Sequence, residues 1–415
     1  MPEPLRIAWT GEPGSSEAGG VAGIAYLMLE GLAARGHRID VFAETRGGRC
    51  TAPGIEGLPN VSIVGRDTRW QWDRWYSRGT FRAFVSSSLS RLVIQRRLAA
   101  DVLERHAREP YDVVFQMSQF ESFFRGRDAR LPLVVHPCTI VASEAYWHAA
   151  ERALARKTES FPRWLAVDLI LRLRARLQHR HAARPSLIVG PSRTFVAELR
   201  DRYAATAPGV VLRHPTPTPE APPDAPPPSG RQMLLFVSRM SSRKGVELVV
   251  DLSHRLDDLR DEVELVLIGG YTLWSNYTGL LDDLNPRVAR YAGEMPQPQV
   301  MEHMARATAL LVPSRFEPGS IATGEALACG LPVIASSAVG PSEIIDDGGG
   351  RVFADGDASS LEAAVRDLLD EATREPDGLR RGAWTIARRE LDVPRIVDRL
   401  EAILQSAARH EPFRD

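Results

Sequence analysis

A proline-rich segment near the middle of the chain constrains the fold more than any other feature. Residues 215–230 read PTPTPEAPPDAPPPSG, with eight prolines in sixteen positions. Proline fixes the backbone angle φ and has no N–H group to donate, so this segment can form neither a helix interior nor a central strand. We interpret it as an extended, semi-rigid linker between two domains. A chain of 415 residues is also too long for one ordinary core.

Short apolar runs of strand length alternate with helical stretches on both sides of the linker. The predicted strands are 5–10, 37–43, 112–117, 131–137 and 186–190 before it, and 233–238, 263–269, 309–313 and 332–336 after it. This alternation predicts parallel sheets covered by helices on both faces, an α/β architecture of two doubly wound domains facing across a cleft. We assign residues 1–214 and 231–390 to the domains, and expect a last helix within 391–415 that could pack back on the first domain.

Composition excludes several classes of protein. No apolar run approaches the ~20 residues that span a bilayer, and the first residues lack a secretory signal, so we expect a cytoplasmic protein. The three cysteines, Cys50, Cys138 and Cys329, form no CxxC pair, which argues against a disulfide framework and a zinc site. Residues 1–214 hold 31 Lys+Arg and 21 Asp+Glu, a net charge of +10, against −11 for the remainder. A basic half suggests an anionic partner, or merely two halves that complement each other.

A glycine-rich turn follows the first predicted strand. Residues 11–20 read GEPGSSEAGG, and a helix is predicted from about residue 21 to residue 35. Gly19 and Gly20 would let the backbone approach a ligand closely, and the helix N-terminus would offer N–H groups to an anion. Because the pattern is GGxxG rather than GxGxxG, a purely structural turn stays an open alternative.

Two cations bracket the corresponding turn of the second domain. Residues 237–245 read VSRMSSRKG, between a predicted strand and a helix that begins at Val246. Arg239 and Lys244 at the carboxyl end of a strand, beside a helix N-terminus, suit a diphosphate group. Two solvated loop charges are the plainer alternative. Lys244 is one of only two lysines in the chain, beside 50 arginines, and this rarity favours the phosphate-binding interpretation.

A pair of glutamates marks the loop and helix after the predicted strand 309–313. This segment reads RFEPGSIATGEALACG from residue 315. Glu317 would lie in the loop and Glu325 in the helix, where their carboxylates could bind sugar or ribose hydroxyls. Backbone N–H groups of Gly319, Ser320 and Ile321 would point into the cleft. Taken alone, the pair is also consistent with a capped surface helix.

Taken together, these motifs resemble those of a known enzyme family. The Arg239/Lys244 turn, the glutamate pair, LPVIA at 331–335 and GPSEII at 340–345 occur in the order and spacing of the family-4 retaining glycosyltransferases of the GT-B fold. The resemblance is specific from about residue 233 to residue 353. It implies that the chain transfers a sugar from a nucleotide diphosphate donor.

The resemblance also implies a role for each motif of the second domain. Arg239 and Lys244 would hold the donor diphosphate. Glu325 would bind the ribose, while Glu317 and the amides of residues 319–321 would bind the transferred sugar. These groups would act as the donor site of the enzyme.

In the first half the resemblance is looser and rests on the glycine turn and on the residues VHP at 135–137. It implies that His136 contacts the sugar near the reacting carbon, and we assign Met295 to the donor site as well. The donor is expected to be a UDP- or GDP-sugar. The base stays open, because IGGY at 268–271 and the extension at 272–277 replace the GxG turn that the family often carries.

The implied reaction needs no metal ion. No DxD motif stands at a strand end beside a plausible phosphate site, so fixed cations and helix N-termini would meet the charge of the leaving diphosphate. The acceptor would attack from the face that the diphosphate leaves, which retains the anomeric configuration. A small, charged acceptor is favoured, and a glycolipid reached by a peripheral membrane enzyme is the alternative. The arginine-rich composition is typical of GC-rich genomes such as those of actinobacteria, where natural products and small thiols are glycosylated.

Two segments of the first half bear on the acceptor. Residues 70–76 hold three tryptophans that could form a lid over the acceptor or pack a helix onto the core. Residues 161–184 combine apolar side chains with six arginines, and such a stretch could lie on an anionic membrane. A strand is predicted directly after it, at 186–190, where an ordinary domain needs a packed helix. We favour packing for both segments.

Other functions fit the same motifs. A sugar-nucleotide epimerase, a phosphorylase or a non-catalytic nucleotide-sugar-binding protein could share the scaffold. The complete set of Arg239, Lys244, Glu317 and Glu325 argues against the binding protein. Nucleic-acid binding is not expected, because the basic half shows no recognition-module pattern.

Overall fold

The computed structural model describes residues 3–17, 20–46, 49–50, 53–67, 81–118, 131–158, 160–182, 184–223, 230–271, 277–345 and 348–413. The chain divides into two compact units. The first comprises Met1–Ala142, Arg172–Pro215 and Val393–Asp415, and the second comprises Ser143–Leu171 and Thr216–Asp392. Within the described residues, no helix combines the length and the apolar character needed to cross a membrane.

The first unit is built on an eight-stranded sheet, counted over the described residues. Its strands are β1 (Arg6–Gly11), β2 (Arg38–Arg46), β3 (Arg49–Cys50), β4 (Val61–Asp67), β5 (Val113–Ser118), β6 (Leu133–Pro137), β7 (Leu187–Gly190) and β8 (Gly209–Val211). The order is β3-β2-β1-β5-β6-β7-β8, with β4 paired to β2, and every pairing except β2 with β3 is parallel. Strands β6 and β7 are buried along their whole length, as expected where helices cover both faces.

The second unit carries a six-stranded parallel sheet in its described part. The strands are β9 (Gln232–Val237), β10 (Val263–Ile268), β11 (Ala289–Tyr291), β12 (Ala309–Val312), β13 (Val333–Ser336) and β14 (Gly350–Phe353), in the order β11-β10-β9-β12-β13-β14. All nine predicted strands are present, and the predicted α/β class is confirmed. Strands β3, β4, β8, β11 and β14 were not among the predicted strands.

Helices flank both sheets. In chain order they are α1 (Gly20–Ala34), α2 (Phe81–Arg108), α3 (Val141–Ala150), α4 (Arg152–Thr158), α5 (Phe161–His181), α6 (Arg193–Tyr203), α7 (Val246–Arg255), α8 (Gln297–Arg306), α9 (Ile321–Ala328), α10 (Ser342–Ile345), α11 (Ala358–Arg374), α12 (Pro376–Glu390) and α13 (Val393–Ala408). Short 3-10 helices at Ser242–Lys244, Asp257–Leu259 and Thr278–Asp283 complete the second unit.

A segment from the first half of the sequence belongs to the second unit. Residues 143–171 precede the linker, yet Ala155 and Trp164 lie in the same hydrophobic core as Leu234 and Phe236 of β9. The division therefore differs from a cut at the linker alone. Burial of large apolar side chains such as Trp164 stabilises the packing of residues 143–171 in the second unit. No local pattern in the sequence indicates which of the two cores such a side chain will join.

The described start of the proline-rich segment is docked on the second unit. The backbone N–H of Thr216 donates to the carbonyl of Leu391 at 2.8 Å. The indole N–H of Trp384 donates to the carbonyl of Pro219 at 3.0 Å. Since proline leaves its carbonyl free to accept, the linker can be tied to α12 without forming a strand or helix.

The C-terminal helix α13 returns to the first unit and packs on α1. Gly31 of α1 lies against Val397 of α13, so close that a Cβ at Gly31 would be 2.6 Å from Val397 Cγ2. Val397 is fully buried, so it cannot move aside into solvent. Polar contacts frame the pair, including His37 Nε2 and Glu401 Oε1, which are 3.1 Å apart.

We predict that Gly31→Val destabilises the first unit. The new side chain would overpack the contact with Val397, and overpacking a close helix contact costs roughly 1–3 kcal/mol. The melting temperature of the variant, measured by circular dichroism, should fall below that of the wild type. Gly57→Val is the matched control, because a Cβ at Gly57 would meet no atom within 4 Å. Equal melting temperatures for the two variants would contradict the predicted packing.

Candidate functional site

The sheet of the second unit has a topological switch point between β9 and β12. From β9 the chain builds outwards through β10 and β11 on one side, then crosses to β12, β13 and β14 on the other. The loops that follow β9 and β12 therefore diverge and leave a crevice at the carboxyl ends of the strands. Ligands of doubly wound sheets bind at such points. The motifs with Lys244 and Glu317 follow these two strands.

Two glycines allow the loops at the switch point to approach the neighbouring backbone. Gly245, which precedes α7, has φ of +70°, and a Cβ there would be 2.1 Å from the carbonyl oxygen of Pro313 after β12. Gly269, after β10, has φ of +140°, and a Cβ would be 1.8 Å from the carbonyl oxygen of Ser238. Only glycine fits both the left-handed backbone and this close approach.

Lys244 and Glu317 form an ion pair that joins the two loops. The Lys244 ammonium donates directly to Glu317 Oε2, and their side chains are only 15% and 13% exposed. Lys244 ends a 3-10 turn, while Glu317 forms a backbone bridge with Val339, whose neighbour Gly340 donates its N–H to the Glu317 carbonyl at 2.9 Å. Both side chains are thus held by backbone structure at the switch point.

The charges around Lys244 are mostly positive. Burial lowers the pKa of the Lys244 ammonium, and the charges of Arg243 and Arg239 lower it further, while Glu144 raises it. The contact with Glu317 opposes this shift, because an adjacent carboxylate favours the charged form. Arg239 itself is exposed. Three cations gathered around one turn create a local potential that attracts an anion.

Helix α9 begins beside this pair with a capped N-terminus. Ser320 is the N-cap, and its hydroxyl oxygen accepts from the backbone N–H of Thr323 at 3.2 Å. The first N–H groups of a helix have no partner inside the helix. The Ser320 side chain accepts from the N–H group of Thr323 and not from the N–H groups of Ile321 and Ala322. Gly319 and Ser320 lie in the loop that leads from Glu317 into this helix.

Glu325 lies in the second turn of α9 and is half-buried. The side-chain amide of Gln297, the first residue of α8, donates to Glu325 Oε1 at 2.6 Å. Burial raises the pKa of the Glu325 carboxyl, and the hydrogen bond from Gln297 lowers it. Met295 precedes α8 and is half-buried against the core around β10 and β12. Gln297 was not among the predicted site residues, because its contact with Glu325 joins two different helices.

A second layer of charged side chains supports the two loops. Arg315 donates to Glu247 Oε1 at 2.6 Å and lies 3.3 Å from Glu151 Oε1. The backbone N–H of Arg315 also donates to the carbonyl of Arg243 at 2.8 Å, and Arg243 is paired with Glu144 at 3.7 Å. Glu144 and Glu151 come from residues 143–171, far away in sequence, and no motif marked them.

The buried carboxyl group of Glu151 has a raised pKa. Burial first, and the neighbouring Glu247 carboxylate second, raise the pKa of Glu151 to about 8, although Arg315 and Arg243 act in the opposite direction. The side chain is only 7% exposed. Glu151 is therefore mainly protonated near neutral pH, and Glu247 is the main anionic partner of Arg315.

The first unit contains the remaining predicted site residues. Gly20 begins α1 with φ of +71°, and a Cβ there would meet no atom within 4 Å. Gly11 and Gly14 are the crowded glycines of this turn. A Cβ at Gly11 would lie 2.1 Å from the carbonyl oxygen of Met117, and a Cβ at Gly14 would lie 2.7 Å from the backbone nitrogen of Tyr26. Gly19 and residues 70–76 lie outside the described residues, so the glycine turn and the tryptophan segment stay predictions.

His136, in β6, is completely buried. Burial lowers the pKa of its imidazole to about 4, so the ring is neutral at physiological pH. Cys138 Sγ lies 3.8 Å from His136 Nδ1, and the rings of His136 and His214 are 5.7 Å apart. One potential ligand atom from each of the three side chains lies within 4.8 Å of the others. In a tetrahedral zinc site these separations would be about 3.3–3.7 Å, so the group would have to contract to hold zinc.

Of the predicted site residues, the structure brings Lys244 and Glu317 into direct contact. Arg239 follows the same strand as Lys244, and residues 319–321 with Glu325 continue from Glu317 into α9. All of these belong to the second unit, whereas His136 and Gly20 belong to the first. The second unit thus assembles cations, helix N–H groups and carboxylates at one sheet edge, an arrangement that can bind a phosphorylated polyol.

The comparison with known proteins agrees with this chemistry. The family model for glycosyl transferases group 1 matches residues 218–381, which include both loops of the switch point. An alpha-maltose-1-phosphate synthase of Mycobacterium tuberculosis is 32% identical over 193 residues, covering 40% of this chain and 48% of the synthase. The chain therefore spans about half the length of this curated relative.

Solved structures share the fold over nearly the whole chain. A sucrose-phosphate synthase from Thermosynechococcus elongatus has a TM-score of 0.73 at 19% identity, covering 98% of this chain and 100% of that one. HepE of Anabaena, solved in complex with UDP, has a TM-score of 0.62 at 17% identity, covering 97% and 100%. The solved structures support the GT-B fold, and the glycosyl transferases group 1 match is to residues 218–381 of the second unit.

We predict that Glu151 makes stability depend on pH. Its folded-state pKa of about 8 exceeds the unfolded value of about 4.3, so the folded state binds more protons between these values. Stability is therefore lost as the pH rises through this window, by on the order of 1 kcal/mol per pH unit. Glu151→Gln should remove this slope, which melting temperatures between about pH 5 and pH 8 would report.

The exposed Glu302 of α8 provides the control for this experiment, because Glu302→Gln should leave the slope of the wild type unchanged. If Glu151→Gln and the wild type gave parallel curves across the window, the raised pKa would be wrong.

Proposed function

We propose that this protein is a retaining, metal-independent glycosyltransferase of family 4 that uses a nucleotide diphosphate sugar. The observation that carries the proposal is the Lys244–Glu317 ion pair at the switch point of the second unit. It combines a cation for the diphosphate with a carboxylate for the sugar. The group 1 match over residues 218–381 supports the same activity.

Donor binding would reorganise this pair. A diphosphate beside Arg239 and Lys244 offers the ammonium a new anionic partner, so Glu317 becomes available to accept hydrogen bonds from sugar hydroxyls. The N–H groups at the start of α9 would bind the same sugar or phosphate oxygens. Glu325, held by Gln297 at 2.6 Å, would accept from the ribose. Gly19, Gly20 and Met295 complete the proposed donor contacts.

Catalysis would consist of stabilising the leaving group. As the bond between the anomeric carbon and the diphosphate oxygen breaks, negative charge develops on the diphosphate, where Arg239 and Lys244 can meet it. The acceptor hydroxyl would attack from the same face and transfer its proton to a departing phosphate oxygen. A neutral His136 would contact the sugar as an uncharged hydrogen-bonding partner. Its complete burial requires a local rearrangement before that contact forms.

The donor nucleotide and the acceptor are proposed by class. We propose UDP or GDP as the nucleotide, and the UDP complex of HepE makes UDP the first to test. A small, charged acceptor in natural-product or small-thiol biosynthesis is our first proposal, with action in the cytoplasm. A glycolipid or envelope acceptor is the second, favoured by the apolar and basic surface of α5 described below.

Other activities on this scaffold would behave differently in an assay. An epimerase would convert the donor without an acceptor, and a phosphorylase would depend on free phosphate. A non-catalytic binding protein would bind the nucleotide sugar and leave it intact. Product analysis with donor alone, donor plus phosphate and donor plus acceptor mixtures separates these alternatives.

We predict that Lys244→Ala abolishes nucleotide stabilisation. Differential scanning fluorimetry of the wild type with UDP, GDP, ADP and dTDP should show one clear shift, since a ligand at 100 times its Kd adds about 2.7 kcal/mol of stability. The shift should be lost in Lys244→Ala, and turnover should fall about 10²–10³-fold. Arg287→Ala, at a side chain 55% exposed, is the control for removing a cation elsewhere. A nucleotide shift that survived Lys244→Ala would refute the assignment.

We predict that transfer needs no divalent cation. Because Arg239, Lys244 and helix N–H groups supply the positive charge, turnover in excess EDTA should equal turnover in buffer. Metal analysis of the same samples shows whether the His136, Cys138 and His214 group carries zinc. Complete loss of activity in EDTA, restored by Mg²⁺ or Mn²⁺, would show that the charge is met by a metal ion instead.

A further inference from the structure

Helix α5 (Phe161–His181) has an exposed apolar face. Phe161, Leu165, Leu169 and Leu173 are spaced four residues apart and are 54%, 38%, 59% and 66% exposed. This spacing places them on one side of the helix. Trp164 lies on another side and is buried in the core. The helix therefore packs on the core through only part of its surface, whereas the sequence favoured packing of its apolar side chains in general.

The same face becomes basic towards the end of the helix. Arg172, Arg176 and Arg180 lie on this side of the helix at the same four-residue spacing and are all exposed. Among the described residues of 141–182, the acidic side chains of Glu144, Glu151 and Asp168 are buried or half-buried. The exposed face of α5 thus combines large apolar groups with positive charge and presents no carboxylate from this helix.

A cavity opens beside the apolar end of this face. It has a volume of about 390 Å³ and is lined by Arg152, Arg156, Phe161 and Trp164, with Ala155 at its wall. The Arg152 guanidinium carbon lies 5.2 Å from the ring centre of Phe161 and 5.0 Å from that of Trp164. Stacking on the rings holds the guanidinium in place while its N–H groups stay able to bind a phosphate.

These features define one surface, which we call the α5 face: Phe161, Leu165, Leu169 and Leu173, with Arg152, Arg156, Arg172, Arg176 and Arg180. A contiguous apolar patch rimmed by one sign of charge marks an interaction site rather than chance exposure. Leucine and phenylalanine side chains can enter the boundary between head groups and acyl chains, and arginines can bind lipid phosphates.

We propose that the α5 face docks on an anionic phospholipid membrane. The helix would lie in the plane of the surface, with its apolar side chains below the head groups and its arginines among the phosphates. A second copy of the chain fits this face less well. An antiparallel pair of α5 helices would bury each apolar half against the arginines of the other. This docking is independent of the donor chemistry proposed above and bears on where the chain meets its acceptor.

Vesicle co-sedimentation without any sugar donor tests the proposal. The wild type should sediment with vesicles of phosphatidylcholine containing about one third phosphatidylglycerol, and much less with phosphatidylcholine alone. Leu165→Ser/Leu169→Ser should reduce the bound fraction roughly tenfold, because apolar insertion is lost. Arg176→Glu/Arg180→Glu should reduce it by at least about tenfold, and raised salt should weaken binding by the wild type.

Matched variants separate the α5 face from general effects. Val93→Ser removes an apolar side chain that is 48% exposed on α2, and Arg381→Glu/Arg409→Glu makes the same charge change at exposed positions elsewhere. Both should bind vesicles like the wild type. Melting temperatures and nucleotide shifts should be unchanged in every variant, which shows that the variants fold and keeps this test separate from that of the proposed activity.

Several outcomes would overturn the proposal. These are no sedimentation of the wild type with anionic vesicles, equal binding to phosphatidylcholine alone, or binding that survives both α5 double variants. Analytical ultracentrifugation tests whether a second copy of the chain binds the α5 face instead. A wild-type dimer that becomes monomeric in Leu165→Ser/Leu169→Ser would assign the α5 face to self-association.

Discussion

The ion pair between Lys244 and Glu317 links the two loops on which the candidate site depends. Taking both charges out of water costs about as much as their attraction returns, so a pair of this kind contributes little net stability. The two side chains of the pair would bind different groups of a ligand. In the proposed function, a diphosphate would replace the carboxylate as the partner of Lys244, and sugar hydroxyls would replace the ammonium as partners of Glu317. The pair therefore keeps two binding groups satisfied and in place.

The supporting charges explain how this pair is held. Arg315 and Arg243 belong to the two loops and are joined by a backbone hydrogen bond of 2.8 Å. Their carboxyl partners come partly from residues 143–171, so a segment from the first half of the sequence supports a site in the second unit. Glu151 lies so deep that its pKa rises to about 8. Protonation avoids burying a second full charge beside Glu247, while Arg315 keeps one anionic partner.

Helix α5 shows where sequence patterns reach their limit. The mixture of leucine and arginine at 161–184 allows either packing or membrane contact, and the helical period alone cannot tell which side faces the protein. Trp164 packs into the core, whereas Leu165, its immediate neighbour, is 38% exposed. The difference depends on which other parts of the chain pack against each side of the helix. Those parts are distant from the helix in sequence.

The sequence by itself determined the α/β class, nine of the fourteen described strands and the loops or helices that carry Lys244, Glu317 and Glu325. Continuous apolar runs reveal buried strands, and glycines with charges at their carboxyl ends reveal the loops of such sheets. Short strands such as β3 and β8, with two and three residues, carry too little pattern to be recognised. Only the tertiary structure decided the direct contact between Lys244 and Glu317, the hydrogen bond from Gln297 to Glu325 and the bracing by Glu144 and Glu151. Each of these joins side chains from separate elements, and their distance depends on how the whole chain packs.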